Sequence, residues 1–181
     1  MKSKLNLGCG NDIRDSYVNL DVADLNGVDV VHDLNVLPLP FNNDVFTEVL
    51  CMDVFEHVEY IPLLKECHRI LQPGGSLIVE VPHFSSNNNF VDPTHRNRFS
   101  VKTFNFFAEN TFERKQRPYY FDFSFSEVTE KKLVFIRANS MPWNWFIQWF
   151  INLSPKMQQY YEATGLTYLF PAQNLRVVLT K

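Results

Sequence analysis

The chain has 181 residues, the size of one domain. Apolar residues make up 45% and charged residues 20%, ordinary proportions for a globular protein with a core. The net charge of −3 removes any global electrostatic ground for nucleic-acid binding and leaves room only for a local basic patch.

Aromatic residues reach 15%, much flat apolar surface to bury in a core, a ligand cleft or an interface. The opening Met1-Lys2-Ser3-Lys4 leads directly into an apolar run with no hydrophobic stretch of signal-peptide length. Cys9, Cys51 and Cys67 are odd in number and show no Cys-x-x-Cys or Cys/His ligand spacing. The expectation is a cytoplasmic protein with reduced thiols, without a disulfide framework or structural zinc.

Lys4 to Leu7 reads as a buried strand feeding a glycine turn, Gly8-Cys9-Gly10. Val18 to Val22 and Val28 to Val31 read as the next two strands, and Phe46 to Met52 as a fourth. Tyr60 to Leu71 has helical spacing, with Pro62 in its first turn and Gln72-Pro73-Gly74-Gly75 as its stop. Leu77 to Val81 is a fifth strand, apolar on nearly every residue as strands covered on both faces are. Short strands alternating with crossovers predict an α/β fold with a parallel sheet and a ligand beyond its carboxyl edge.

The second half differs. Ser85 to Asn89 is a polar loop, and Ser100 is placed to cap a helix running to about Asn110. Phe121, Phe123 and Phe125 alternate with polar residues and predict a half-buried strand. Leu175 to Thr180 supplies the last strand. Met141 to Leu153 is almost wholly apolar, with Asn144, Gln148 and Asn152 forming a thin polar stripe on a helix too short to span a bilayer. The plainest reading buries this helix against the domain or over a site. A homodimer or hydrophobic-substrate surface and a membrane-surface helix are the alternatives, the last weakened by the absence of Lys and Arg on the polar face.

The glycine turn lets backbone N–H groups approach a ligand, while Asp21 and Asp33 follow consecutive strands. Asp21 is placed to accept two ribose hydroxyls, and Asp33 an adenine amino group with Leu34 beside the ring; together they point to a nucleoside ligand. A nicotinamide dinucleotide is excluded. Positions 11 to 13 are Asn-Asp-Ile instead of x-x-Gly, and only eleven positions separate Gly10 from Asp21, where the dinucleotide fold has roughly twenty.

Several ordered segments carry a family likeness: Leu5-Asn-Leu-Gly-Cys-Gly10, Asn19-Leu-Asp21-Val22, Asp33 ahead of Leu37-Pro-Leu-Pro-Phe41, Met52-Asp-Val-Phe-Glu-His-Val58, and Glu66 through Pro73-Gly-Gly-Ser-Leu-Ile78. Over residues 4 to 84 the chain resembles the class I S-adenosylmethionine-dependent methyltransferases, type 11 (UbiE-like) group. The resemblance implies a three-layer Rossmann-like fold, a seven-stranded sheet of order 3-2-1-4-5-7-6 with the last strand antiparallel, here with a shortened first crossover. It implies one domain over residues 1–181, with 1–84 binding the cofactor and 85–174 inserted to build the acceptor site or a lid. Gly8, Cys9 and Gly10 would then line the methionine end of the cofactor, Asp21 with Val22 beside it the ribose, and Asp33 with Leu34 the adenine. Cys51, Met52 and Asp53 would lie under the sulfonium. Asn6 and Asn11 depart from the acid and the third glycine that many members carry.

Methyl transfer from a sulfonium is an in-line displacement, and a hydroxyl acceptor needs a base. The candidates are His83, directly off the fifth strand, and His95 with Asp92 in the Asp-Pro-Thr-His turn. The dull alternative for Asp92 is a turn carboxylate bonding backbone N–H groups. His83, Asp92 and His95 are a thin set for a hard cation, so no metal is expected. His57, His32 and His68 read as packing or orienting residues. Arg96 and Arg98 either fork onto a substrate anion or form a solvated turn, and Glu113 to Arg117 reads as an exposed face. Asp53-Val-Phe stands where base-modifying amino-methyltransferases carry a Pro-Pro motif. The expected activity is therefore O-methylation of a small-molecule or sugar/glycan-type acceptor. The alternative is a non-catalytic or partner-activated subunit.

Overall fold

The structure, a computed structural model, describes residues 2–138 and 140–181. Strands β1 (Lys4–Leu7), β2 (Val18–Asp21), β3 (Val30–Val31), β4 (Phe46–Met52), β5 (Leu71–Pro82), β6 (Glu127–Val134) and β7 (Asn174–Thr180) form one sheet of order β3-β2-β1-β4-β5-β7-β6. β7 runs antiparallel to both neighbours, while β1 to β5 pair in parallel. The expected order, and the expected place of the antiparallel strand, both hold. At the sheet's centre Leu5 pairs with Val49 and Leu77 with Leu179, all fully buried, each such side chain contributing about 1.5–3 kcal/mol of burial.

Helix α1 (Tyr60–Ile70) packs Leu63, Leu64, Cys67 and Ile70 onto this core. It is the only helix among the described residues before Pro82. In place of a first crossover helix, an amide knot holds the loop between β1 and β2. Buried Asn6 donates to the Asp12 carbonyl at 2.6 Å and to Asn19 Oδ1, which also accepts from the Arg14 N–H. Asn19 Nδ2 returns to the Arg14 carbonyl, and its N–H reaches Asp29. The departure at Asn6 thus has a cause: the amide donates both of these bonds, which a carboxylate cannot.

Three expected elements differ. β5 begins at Leu71, six residues before the expected start, because Gln72 to Gly75 forms an irregularity inside the strand, and the register with β4 shifts between Phe46 and Glu48. Gly75 is required there, since a Cβ would lie 2.9 Å from the Gln72 carbonyl oxygen. The helix expected from Ser100 is a single 3-10 turn, Thr103–Phe107, with Ser100 Oγ accepting from the Lys102 N–H. Phe121 to Phe125 is not a sheet strand. Phe125 makes one isolated bridge with Ala108, and Phe121 and Phe123 pack on Phe107. The alternation was a burial pattern made by rings meeting a loop; the strand itself starts at Glu127.

The remaining short helices are α2 (Asn88–Val91), α3 (Phe112–Gln116), α4 (Trp143–Ile151), α5 (Pro155–Ala163) and α6 (Leu166–Leu169). Lys115, Gln116 and Arg117 are exposed as expected, while Arg114 on α3 is buried and donates to the Phe121 carbonyl. Helix α4 is not buried on its apolar side as the plainest reading expected: its polar stripe faces inward and its aromatic side is exposed. Asn152 accepts from the Leu133 N–H and donates to the Leu133 carbonyl, Gln148 accepts from the Phe135 N–H, and Asn144 donates to the Ile136 carbonyl. The amide side chains stand in for the next strand along the open edge of β6 and its extension.

Candidate active site

Two cavities open beyond the carboxyl ends of the central strands, where a doubly wound sheet places its ligands. The first, of about 280 Å³, is lined by Gly8, Asp21, Val22, Asp33, Leu34 and Asp53, together with Asn35, Val54, His57 and Val58. Six of the ten residues expected at a cofactor are thus in its wall. Gly8 has φ +66°, and a Cβ there would stand 2.5 Å from Val54 Cγ2, so the backbone forms a cradle only glycine permits. Asp21 is anchored through both oxygens, Oδ2 by the Gly10 N–H at 2.8 Å and Oδ1 by the Ala23 N–H at 2.9 Å. Each oxygen keeps accepting capacity for a ligand hydroxyl. Asp33 is oriented by the N–H and side-chain amide of Asn35, which hold its carboxyl below the usual carboxylate range.

The other four expected residues lie behind this wall. Gly10 acts through its N–H on Asp21. Cys9 is buried, Cys51 is wholly buried in the core, and Met52 is half-buried. Burial drives the Cys51 thiol well above its ordinary range, so it stays a neutral packing group.

Asp53 follows the last residue of β4 with φ +52°, a left-handed conformation uncommon for a non-glycine residue. Its N–H is held by the Glu80 carbonyl, and burial followed by the nearby Glu80 charge raises its carboxyl pKa. Asp53 and His57 line both cavities. The second cavity, about 310 Å³, also draws on Glu56, Asp92, His95 and Gln173.

The Asp-Pro-Thr-His loop is pinned against the segment after β4. Asn97 Nδ2 donates to the Phe55 and Val58 carbonyls, and the Arg96 N–H donates to the Glu56 carbonyl. This fastening brings His57 and His95 together, their ring centroids 4.6 Å apart. Asp92 Oδ1 accepts from the Thr94 N–H at 2.8 Å and its hydroxyl at 2.6 Å. Thr94 has one hydroxyl hydrogen, so it accepts from His57 Nδ1 at 2.7 Å. In the neutral ring this network assigns the hydrogen to Nδ1 and the lone pair to Nε2. Burial, then the neighbouring His95, lowers the His57 pKa. His57, read from the sequence as a packing or orienting residue, is an imidazole oriented in the wall of both cavities; its signal was the Thr94 hydroxyl 37 positions away, which only the fold brings near.

His95 lies at the same cavity, its Nε2 3.9 Å from Asp92 Oδ2 and its Nδ1 buried without a partner. Asp92 serves the turn with one oxygen and faces His95 with the other. His83 is not in either cavity wall. It is wholly buried, bonded to Ser85 and, through Nε2, to Glu162 at 2.9 Å, and ties the end of β5 to α5. Arg98 bonds carbonyls of its own loop and covers Phe90.

Both carboxylate oxygens of buried Glu56 lack a hydrogen-bond partner, and burial pushes this carboxyl up to about 8. Glu56, His57 and His95 offer donor atoms within 4.8 Å of one another and form the one such group among the described residues. Two imidazoles and a carboxylate suit a transition metal better than magnesium or calcium. The set His83, Asp92 and His95 is not assembled.

A family model described as a methyltransferase domain, of the type 11 group, matches residues 5–79. Among solved structures, the chain resembles a SAM-dependent methyltransferase from Archaeoglobus fulgidus, at 16% identity over 98% of this chain and 85% of that one, with a TM-score of 0.60. An S-adenosylmethionine-dependent methyltransferase from Mesorhizobium loti matches at 14% identity over 98% and 90%, with a TM-score of 0.54. A chain from the complex between the Haloferax volcanii Trm112 methyltransferase activator and a methyltransferase matches at 18% identity over 98% and 81%, with a TM-score of 0.53. A Methanocaldococcus jannaschii protein, MJ0638, is 51% identical over 47 residues; the alignment covers 26% of this chain and 21% of that protein. The fold is that of the class I S-adenosylmethionine-dependent methyltransferases, and residues 5–79 match the type 11 methyltransferase domain family. Methyltransferases of this family use S-adenosylmethionine, and the glycine cradle with Asp21 and Asp33 fits such a ligand.

Proposed function

We propose that the protein transfers a methyl group from S-adenosylmethionine to a hydroxyl of a small-molecule or glycan-type acceptor. One observation carries this reading: the nucleoside cavity and the titratable cavity meet at Asp53 and His57, and His57 has its Nδ1 engaged and its Nε2 left as an acceptor. Bound in the first cavity, the cofactor supplies an electrophilic methyl carbon. Asp21 and Asp33 hold its ribose and adenine, and the Gly8 backbone leaves room for the chain bearing the sulfur. In the second cavity His57 Nε2 would take the acceptor's proton as the new C–O bond forms and the methyl C–S bond breaks, its electron pair staying on the sulfur of S-adenosylhomocysteine, which leaves from the first cavity. Thr94 and Asp92 hold the imidazole in that tautomer and favour its charged product. His95 and Asp53 position the acceptor. An aromatic cavity of about 370 Å³, lined by Tyr60, Phe106, Phe107, Tyr120 and Phe121 with Arg98, offers flat faces of the kind sugar rings stack on.

Calorimetric titration of S-adenosylmethionine into wild type and His57→Gln, with methyl transfer to hydroxyl acceptors measured alongside, tests the assignment. Intact binding with a lost rate supports it; an unchanged rate overturns it.

A second reading, a partner-activated subunit, is favoured by the missing first crossover helix beside the cofactor cavity. The solved relative in complex with an activator belongs to the same fold. Failure of the isolated chain to bind the cofactor would select this reading.

A further inference from the structure

All three tryptophans of the chain, Trp143, Trp145 and Trp149, stand on α4, exposed by 50%, 60% and 60%. Phe146, Phe150 and Leu153 extend the same surface. The helix cannot roll over to hide them. Asn144, Gln148 and Asn152 are bound to the backbone of Leu133, Phe135 and Ile136, and turning the helix would leave those groups unpaired. The polar stripe is therefore not the water-facing side of an amphipathic helix, and its lack of Lys and Arg says nothing about what the aromatic side meets.

The charged residues that line a groove with that side, Lys132 and Arg137, are both cations. From position 131 to 161 the sequence holds Lys131, Lys132, Arg137 and Lys156 and no Asp or Glu, in a chain of net charge −3. Lys131 turns inward to Asn105. Among the described residues Lys132, Arg137 and Lys156 form no ion pair. The Arg137 guanidinium lies 4.2 Å over the Trp145 ring, and Lys132 and Arg137 line one groove with Trp145 and Trp149.

We propose that this face docks on an anionic lipid bilayer surface. Indole rings partition to the boundary between headgroups and acyl chains, and Lys and Arg beside them meet anionic headgroups. A second copy of the chain would set these cations against themselves, which disfavours a symmetric dimer through this face. The helix lies on the membrane: among the described residues none is long and apolar enough to cross one. A groove of about 450 Å³ lies beside it, with Phe90, Ile136 and Met141 in its wall, and shares Gln173 with the acceptor cavity. On the function proposed above, on which this clause rests, the acceptor is a hydroxyl-bearing headgroup carried by a lipid.

Sedimentation of the full chain with vesicles of phosphatidylcholine, alone or mixed with phosphatidylglycerol, tests the docking. Binding to the anionic vesicles is expected to be tighter by about tenfold or more, to weaken with salt, and to shift tryptophan emission to the blue. Trp145→Ser with Trp149→Ser should abolish it. Arg137→Glu with Lys156→Glu should remove the preference for anionic vesicles. All four are exposed positions, and circular dichroism confirms that each variant folds. No vesicle binding, equal binding to both vesicle types, or a dimer by light scattering that needs Trp145 and Trp149 would each overturn the proposal. Cofactor titration in parallel separates the two readings. Intact cofactor binding without vesicle binding removes the docking alone, and vesicle binding without methyl transfer removes the activity alone.

Discussion

Burial works in opposite directions on the two titratable groups beside the acceptor cavity. For His57 it favours the neutral ring, so the base proposed above is ready at pH 7 and is lost only on acidification. The rate kcat/KM is expected to be flat above about pH 6.5 and to fall tenfold per unit below the lowered His57 pKa. His57→Gln should cost about 10²–10⁴ in kcat, with a far smaller change in cofactor affinity since His57 is one of several residues in that wall. For Glu56 burial holds a proton on the carboxyl up to about 8, against an ordinary value of 4.5. The native state therefore binds the extra proton across that window, and stability falls as pH rises through it, by on the order of 4 kcal/mol. Glu56→Gln should flatten the pH dependence of the urea unfolding free energy between those limits. At the other cavity, Asp21→Ala should weaken S-adenosylmethionine by about 2–4 kcal/mol in calorimetry, since it removes charge-assisted acceptors and frees the Gly10 N–H.

Helix α4 shows how an element's neighbours decide which side of it is buried. Its four-residue polar repeat was plain in the sequence, but the direction it faces was not, because the edge it serves does not announce itself. β6 reads Glu-Val-Thr-Glu-Lys-Lys-Leu-Val, a charged run with weak alternation, and becomes a strand only by pairing with β7. Phe121 to Phe125 made the converse error, since strong alternation there came from rings packed on the Phe107 turn. Asn152→Ala should destabilise the fold by about 1–3 kcal/mol in urea, because it strands the Leu133 N–H and carbonyl together. Trp149→Ser, at a position in solvent, should stay within about 0.5 kcal/mol. If the two variants cost the same, the inward polar face is misassigned.

Across the whole molecule, protection should follow the sheet from its centre outward. Amides of β5 and β7, paired from Ser76–Thr180 to Pro82–Asn174, should exchange slowest by native-state hydrogen exchange, and those of α4 and the loop after β1 much faster. The cofactor half could be read in the sequence because its signals are local. A glycine turn follows β1, an acid stands at or just after the ends of β2, β3 and β4, and apolar runs mark β1, β4 and β5. The order of the strands, and with it the full set of six wall residues of the nucleoside cavity, came from the resemblance to the methyltransferase family that those segments carry. The acceptor cavity joins segments that lie far apart in the chain: Asp53 to His57, Asp92 to His95, and Gln173. Whether a histidine there is a base, as His57 is placed to be, or a buried brace, as His83 is, depends on which hydroxyl or carboxylate the fold sets against its ring nitrogens. Composition and spacing dictate which residues can form strands and turns, since those preferences act over a few bonds. Partners for buried polar groups are found only when distant segments meet, and that was decided by tertiary packing.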